Sequence, residues 1–282
     1  MPYARIAAVC LAALAVAAAP AAARQKPVTR GSTYLALGDS VPFGYQESGV
    51  VPAPDYAHAR NFTGYPELVG QALHLRVANA ACPGETSASL VNAAATSNGC
   101  ENAYRKSFPL HVRYKGSQLA YAVKFLKRHR NTRLVTLMVG ANDYFLCQKA
   151  TADSCGSAAE QSAVLTKIAA NVRKTLSRIR NTARYRGQIA IVSYYSFNYS
   201  SPAVNALSQA LNTRLRKAAR SFHVVMADGF GTFRAGAAHA GGSPCVAGLL
   251  TQLGSPGTCG IHPSYAGQSL LAQAVMKAIR TR

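Results

Sequence analysis

Four short segments of this 282-residue chain carry residue types suited to acyl chemistry: Gly38-Asp39-Ser40, Cys82-Pro83-Gly84-Glu85-Thr86, Gly140-Ala141-Asn142-Asp143 and His262-Pro263-Ser264. A serine hydroxyl is a weak nucleophile until a base takes its proton, and the oxyanion formed on attack at a carbonyl needs donors aimed at it. Ser40 offers the hydroxyl and His262 the base. The backbone N–H of Ser40, the backbone N–H of Gly84 and the side-chain amide of Asn142 offer the donors. A residue without Cβ at position 84 lets the backbone come close to a substrate. Asp39 is read as a turn residue whose carboxylate accepts from backbone N–H groups, not as part of the chemistry. The chain contains no G-x-S-x-G nucleophile elbow, so any serine chemistry starts at Ser40.

Those segments need a frame that brings them to one edge. β-branched and apolar runs at 33–37, 75–80, 133–139, 188–194 and 222–227 alternate with helical patterns at 65–73, 117–129, 158–180, 203–220 and 263–279. Such alternation predicts a parallel sheet with helices on both faces, in which ligands bind beyond the carboxyl ends of the strands. The last helix has the clearest pattern, an apolar stripe of Leu270/Leu271, Ala274/Val275 and Ala278/Ile279. Pro263 suits a first helical position, so its start is expected at His262.

The four segments together resemble the four blocks of the SGNH (GDSL) hydrolase family, which supply Ser, Gly, Asn and His in that chain order. Leu35 to Ser40, Ala80 to Thr86, Val139 to Asp143 and His262 to Ser264 are the matching stretches. The resemblance implies an α/β fold: a flavodoxin-like three-layer α/β/α sandwich with a five-stranded parallel sheet in the order 2-1-3-4-5. It also implies a carboxylic ester hydrolase that works through an acyl-enzyme on Ser40. The second block and the cysteine pattern look most like the secreted actinobacterial branch of esterases, lipases and phospholipases. One departure stands out: the family usually carries Asp three residues before the histidine, and here that residue is Cys259. The expectation is therefore a Ser40/His262 dyad in which a backbone carbonyl near Cys259 or Gly260 accepts the His262 Nδ1 proton, with Asp228 as the alternative.

Composition bounds the remaining choices. The chain carries 31 Lys and Arg against 10 Asp and Glu, a formal +21. So few acids leave little for paired-carboxylate or divalent-metal chemistry, and the six histidines other than His262 follow no ligand spacing, so no metal or cofactor is expected. Residues 1–23, with Arg5, an apolar stretch and an Ala-Ala-Ala end, read as an export signal, leaving 24–282 as one domain outside the cytoplasm. The remainder holds six cysteines, expected to pair locally as Cys82–Cys100, Cys147–Cys155 and Cys245–Cys259. The runs at 127–130 and 214–220 read as solvated helix faces. The charge suits peripheral contact with anionic lipid or a cell-wall polymer, and no recognition motif points to nucleic acid. A monomer acting on a small-molecule or lipid ester is the expected assembly. The rival readings are acyl transfer to or deacetylation of glycans, and a non-catalytic binder of anionic surfaces. Specificity is expected to lie in loops 46–63 and 86–117, where Tyr45, at the edge of the first loop, and Tyr56, Phe62, Tyr104 and Phe108 either line an acyl groove or anchor the loops.

Overall fold

The computed structural model describes residues 25–255 and 257–282. The expected export signal lies outside the described residues. Strand β1 (Thr33–Gly38) leads into the four-residue helix α1 (Ser40–Phe43), then α2 (Tyr65–Ala72) and β2 (Arg76–Asn79). Helix α3 (Ser87–Val91), the short α4 (Arg105–Ser107) and α5 (Gln118–Arg128) precede β3 (Thr132–Met138). Helices α6 (Ala141–Ala150) and α7 (Ala158–Ser177) precede β4 (Gln188–Val192), and α8 (Pro202–Ala219) precedes β5 (Val225–Ala227). Helix α9 (Gly229–Gly236), a hairpin of β6 (Leu250–Gln252) and β7 (Cys259–Pro263), and α10 (Tyr265–Ala278) complete the chain.

The five sheet strands are parallel in the order β2-β1-β3-β4-β5. This is the flavodoxin-like three-layer sandwich. Its strands are covered on both sides, which is why β1 and β4 are buried along their whole length and read as unbroken apolar runs instead of alternating ones. Helices α2 and α10 pack together, with α9 beside α10, while α3, α5, α7 and α8 form a second group. Parallel strands are joined almost always by right-handed crossovers, and with this strand order that rule places the two groups on opposite faces. No described helix is long and apolar enough to cross a membrane.

The start of the last helix differs from expectation. His262 and Pro263 belong to β7, where Pro263 pairs with Leu250, and α10 begins only at Tyr265. Ser264 is the N-cap, its hydroxyl accepting from the Gly267 N–H at 3.2 Å. The hairpin claims the residues that the helical pattern had suggested. The apolar stripe itself lies inward, with Leu271, Ala274 and Val275 buried.

Cys82 is bonded to Cys100, Cys147 to Cys155 and Cys245 to Cys259. The first bond closes the loop that carries Gly84. The second joins α6 to the turn before α7, and the third ties the start of β7 to the segment before β6. Lys127, Arg128, Arg130, Arg216, Lys217 and Arg220 are exposed.

Candidate active site

Ser40 stands at the carboxyl end of β1, where the chain turns directly into α1. Asp39 caps that helix: one carboxylate oxygen accepts from the Val41 N–H at 3.0 Å and the other accepts from the Tyr194 hydroxyl. Burial pushes the Asp39 carboxyl up to about 6, although both hydrogen bonds pull it down. Asp39 thus holds the turn. Gln118 grips the same turn from behind, accepting from the Gly38 N–H at 2.9 Å and donating to the Gly38 carbonyl at 2.7 Å. Its amide also donates to Glu85 at 2.6 Å, which ties the first segment to the second. Glu85 is fully buried, and burial raises its carboxyl to about 7 against the hydrogen bonds from Ser89 and Gln118.

Gly84 takes a φ of +82°, and a Cβ there would lie 2.5 Å from the Asn98 carbonyl oxygen. Only glycine fits both the conformation and the space. Asn98 serves two donors at once: its N–H donates to the Gly84 carbonyl at 2.8 Å, and its side-chain amide donates to Asn142 Oδ1 at 2.8 Å. With Oδ1 so engaged, the amide nitrogen of Asn142 is left for the cleft. Lys149 donates in turn to Asn98 Oδ1 at 2.7 Å, extending a hydrogen-bonded chain from a surface cation to the Asn142 amide. Asp143 accepts from the Ser87 N–H and hydroxyl at 2.7 and 2.6 Å, fixing the first turn of α6 against α3.

His262 arrives from the β6–β7 hairpin, not from a sheet strand. Its Nε2 is 2.8 Å from Ser40 Oγ and its Nδ1 is 2.7 Å from Glu47 Oε1. In the tautomer suited to a base, Nδ1–H donates to Glu47 and Nε2 accepts from Ser40. This corrects the expectation of a backbone carbonyl near Cys259 or Gly260 as the Nδ1 acceptor. It also excludes Asp228 from that place, because Asp228 caps α9, accepting from the Gly231 N–H at 2.9 Å. Glu47 further accepts from the N–H groups of Ile261 at 2.6 Å and His262 at 3.1 Å and from the Thr251 hydroxyl at 2.5 Å. Burial raises the Glu47 carboxyl, but the hydrogen bond to His262, the charge interaction with it and the Thr251 bond outweigh that and leave it lowered to about 2. Gly260 makes the approach feasible, since a Cβ there would stand 2.2 Å from Glu47 Oε1.

Glu47 was missed because it lies 215 residues from its partner in a loop without regular structure. The available signals were the scarcity of acids and a glycine two residues before the histidine. Main-chain pairing delivers it: Val50 bridges Leu253, and the Gly254 N–H donates to the Gly49 carbonyl at 2.9 Å.

Ser40, Gly84, Asn142 and His262 line one cleft of about 350 Å³ with Tyr45, Tyr104 and Phe108. Tyr45 meets the His262 ring edge-on at 4.9 Å. Tyr56 and Phe62 stand behind Tyr45, with centroids at 5.7 and 6.3 Å, so three of the five loop aromatics face the cleft and two support it. Among the other histidines, His111 bonds the Phe43 carbonyl, His129 the Phe125 carbonyl and His58 the Asp55 carboxylate.

Residues 36–270 match the sequence model of the GDSL-like lipase/acylhydrolase family. A search of curated proteins finds no match. Among solved structures, phospholipase A1 from Streptomyces albidoflavus is similar with a TM-score of 0.57 and 18% identity, covering 88% of this chain and 99% of that one. An acetylxylan esterase from Geobacillus stearothermophilus gives 0.52 and 18%, covering 89% and 95%. An α/β-hydrolase enzyme from the metagenome of Lake Arreo, Spain, gives 0.54 and 16%, with the same coverage.

Proposed function

Because the chain belongs to the GDSL-like lipase/acylhydrolase family and is thereby a carboxylic ester hydrolase, we propose that it is a secreted serine esterase or lipase that works through an acyl-enzyme on Ser40. The observation that carries this reading is the unbroken line Ser40 Oγ, His262 Nε2, His262 Nδ1 and Glu47 Oε1, with steps of 2.8 and 2.7 Å. His262 takes the Ser40 proton as Oγ attacks the ester carbonyl. The N–H groups of Ser40 and Gly84 and the Asn142 amide hold the resulting oxyanion. Collapse expels the alcohol, which leaves with the proton from His262. Water, deprotonated by the same histidine, then releases the carboxylic acid and restores Ser40. Glu47 touches no reacting atom. It fixes the imidazole and stabilises its charged form.

The apparent export signal and three disulfides support work outside the cytoplasm, as in the secreted actinobacterial branch. The formal +21 supports contact with anionic lipid or cell-wall polymer. Turnover of p-nitrophenyl esters by the oxidised protein should fall more than about 10³-fold in Ser40→Ala; equal turnover by the variant would refute the nucleophile. Product analysis with a sugar acceptor present separates hydrolysis from acyl transfer to a glycan.

A further inference from the structure

The end of the sheet opposite the cleft carries a basic pocket. It has a volume of about 210 Å³ and opens where β3 and β4 begin. Lys26, Arg130, Arg133, Arg184 and Arg186 line it together with His129. Arg133 is the second residue of β3, and at about 3.3 Å per residue the far end of that strand, which leads to Asn142, is roughly 17 Å away. The chain's acids are gathered at that far end. Asp39, Glu85, Asp143 and Asp228 follow the carboxyl ends of β1, β2, β3 and β5, and Glu67 and Glu160 lie in the first turns of helices that run back toward β2 and β4. Residues 102–142 and 161–227, which supply every lining residue except Lys26, contain no Asp or Glu. Among the described residues the ion pairs are His58–Asp55, Arg105–Glu101 and His262–Glu47, and none involves the pocket.

Helix dipoles do not account for this cluster. Cations in the last turn of a helix answer its dipole, and Lys127, Arg128, Lys174, Arg216 and Lys217 stand in such turns. The pocket's cations lie outside them: Arg130 beyond α5, Arg133 in β3, and Arg184 and Arg186 in the loop that enters β4. Arg184 even holds a left-handed φ of +52°, at a place glycine usually fills. Behind this loop Arg180 is buried, donating to the carbonyls of Tyr185 at 3.1 Å, Gly187 at 2.7 Å, Phe222 at 3.0 Å and His223 at 3.1 Å. Its charge is met by carbonyls alone and adds to the positive potential of the pocket. Like charges held together without a counter-ion repel one another, and a bound anion relieves that repulsion. None of the large apolar side chains exposed on the described surface lines the pocket, so nothing there enters a membrane. Tyr185 is buried and the His129 ring is stacked on Phe125 at 4.0 Å, which leaves no free aromatic face for a nucleobase.

We propose that this pocket binds the phosphates of a flexible, base-free phosphodiester polymer, of which poly(glycerol phosphate) is the simplest. A concave site lined with guanidinium groups suits discrete phosphates on a flexible chain better than it suits a flat surface. Bound there, the polymer leaves the catalytic cleft at the other end of the sheet open and turned away from the anchor. This narrows the anionic partner read from the net charge to one chemistry and one place, and the binding does not depend on ester hydrolysis.

The test is calorimetry of poly(glycerol phosphate) at several salt concentrations with the oxidised wild-type protein and two triple variants. One removes pocket charges, Arg130→Gln with Arg184→Gln and Arg186→Gln; the other removes helix-end charges, Lys174→Gln with Arg216→Gln and Lys217→Gln. All of these side chains are exposed, so both variants should fold, and they carry equal net charge. The pocket variant should raise Kd at least about tenfold and flatten the slope of log K against log salt by about 2, while the helix-end variant should change Kd less than about threefold. No binding by the wild type, or equal losses in the two variants, overturns the pocket. Tighter binding of phosphatidylglycerol vesicles than of the polymer at equal phosphate would make the partner a membrane. Tighter binding of an oligothymidylate with the same number of phosphates would make it a nucleic acid, and either result overturns the proposal. Turnover of p-nitrophenyl acetate should stay within about twofold in both variants and in saturating polymer. A loss of turnover on adding polymer that persists in the pocket variant places the polymer in the cleft and overturns the proposal as well. Absence of acetate turnover in the wild type, with polymer binding intact, counts against the ester-hydrolase reading instead.

Discussion

The site has two halves built by different means. Ser40, Gly84 and Asn142 stand just beyond the carboxyl ends of β1, β2 and β3, neighbouring strands of one parallel sheet, and each lies within a few residues of a strand buried in the core. His262 and Glu47 stand on a two-stranded hairpin and an irregular loop, joined by the Val50–Leu253 bridge and the Glu47 carboxylate, while the Cys245–Cys259 bond braces the hairpin itself. The sheet half is positioned by short-range geometry that the core enforces. The loop half is positioned by long-range contacts, with a carboxylate accepting from two backbone N–H groups, a hydroxyl and the imidazole. Catalytic geometry that depends on one side chain is easier to break than geometry carried by a sheet.

The largest effect should therefore come from Glu47. Glu47→Gln keeps the shape but cannot orient and charge-stabilise the imidazole equally, and kcat should fall roughly 10²- to 10⁴-fold with little change in KM. Glu47→Asp should recover part of the rate if a shorter carboxylate still reaches Nδ1. Asp228→Asn, by contrast, should leave kcat within about twofold and cost at most about 1 kcal/mol as a weakened helix cap. A large rate loss in Asp228→Asn with none in Glu47→Gln would reverse the assignment.

On the sheet side the corresponding probes are Asn142, proposed as an oxyanion donor, and Asn98, which holds its amide. Asn142→Ala should lower kcat about 10²- to 10³-fold, as loss of one aimed donor does elsewhere. Asn98→Ala should cost less, about tenfold, because it loosens the Asn142 amide and the Gly84 loop without removing either donor. The effects should be less than additive in the double variant, since Asn98 acts through the donor that Asn142→Ala deletes. Full additivity would mean that Asn98 does not work through Asn142.

The same contrast explains what was legible in the sequence. The inner strands β1, β3 and β4 could be read because a sheet covered on both faces imprints nearly continuous apolar runs, and the expected positions Ser40 and Asn142 follow two of those runs closely; the edge strands β2 and β5 are partly exposed, and Gly84 is reached from β2 through a loop. His262 was found by its local block, but its setting was misread: Pro263 in a helical pattern concealed a hairpin whose pairing with Leu250 is a tertiary fact. Glu47 could not be read from local pattern at all. Its partners Thr251, Ile261 and His262 are more than 200 residues away, and no periodicity marks a loop held by side-chain bonds.

The two halves should also respond to pH in opposite senses, and this is the smallest effect. In the sheet half, burial raises the carboxyl of Asp39 to about 6 and that of Glu85 to about 7. The folded state then holds protons that the unfolded chain has released. Their stabilising contribution is complete below the ordinary carboxyl range and is lost as pH rises through about 7. In the loop half, Glu47 is lowered to about 2 by His262 and Thr251, so its contribution is complete above the ordinary range and is lost as pH falls toward 2. Urea denaturation at steps from pH 3 to pH 8 separates them. Glu85→Gln should flatten the decline in stability between about pH 5 and pH 7 and leave the acid limb alone, while Glu47→Gln should flatten the acid limb only. If Glu85→Gln left the neutral-range slope intact, the Glu85–Gln118–Gly38 link would be anchoring the Ser40 turn through a carboxylate that stays ionised when folded, and the contrast between the halves would rest on geometry alone.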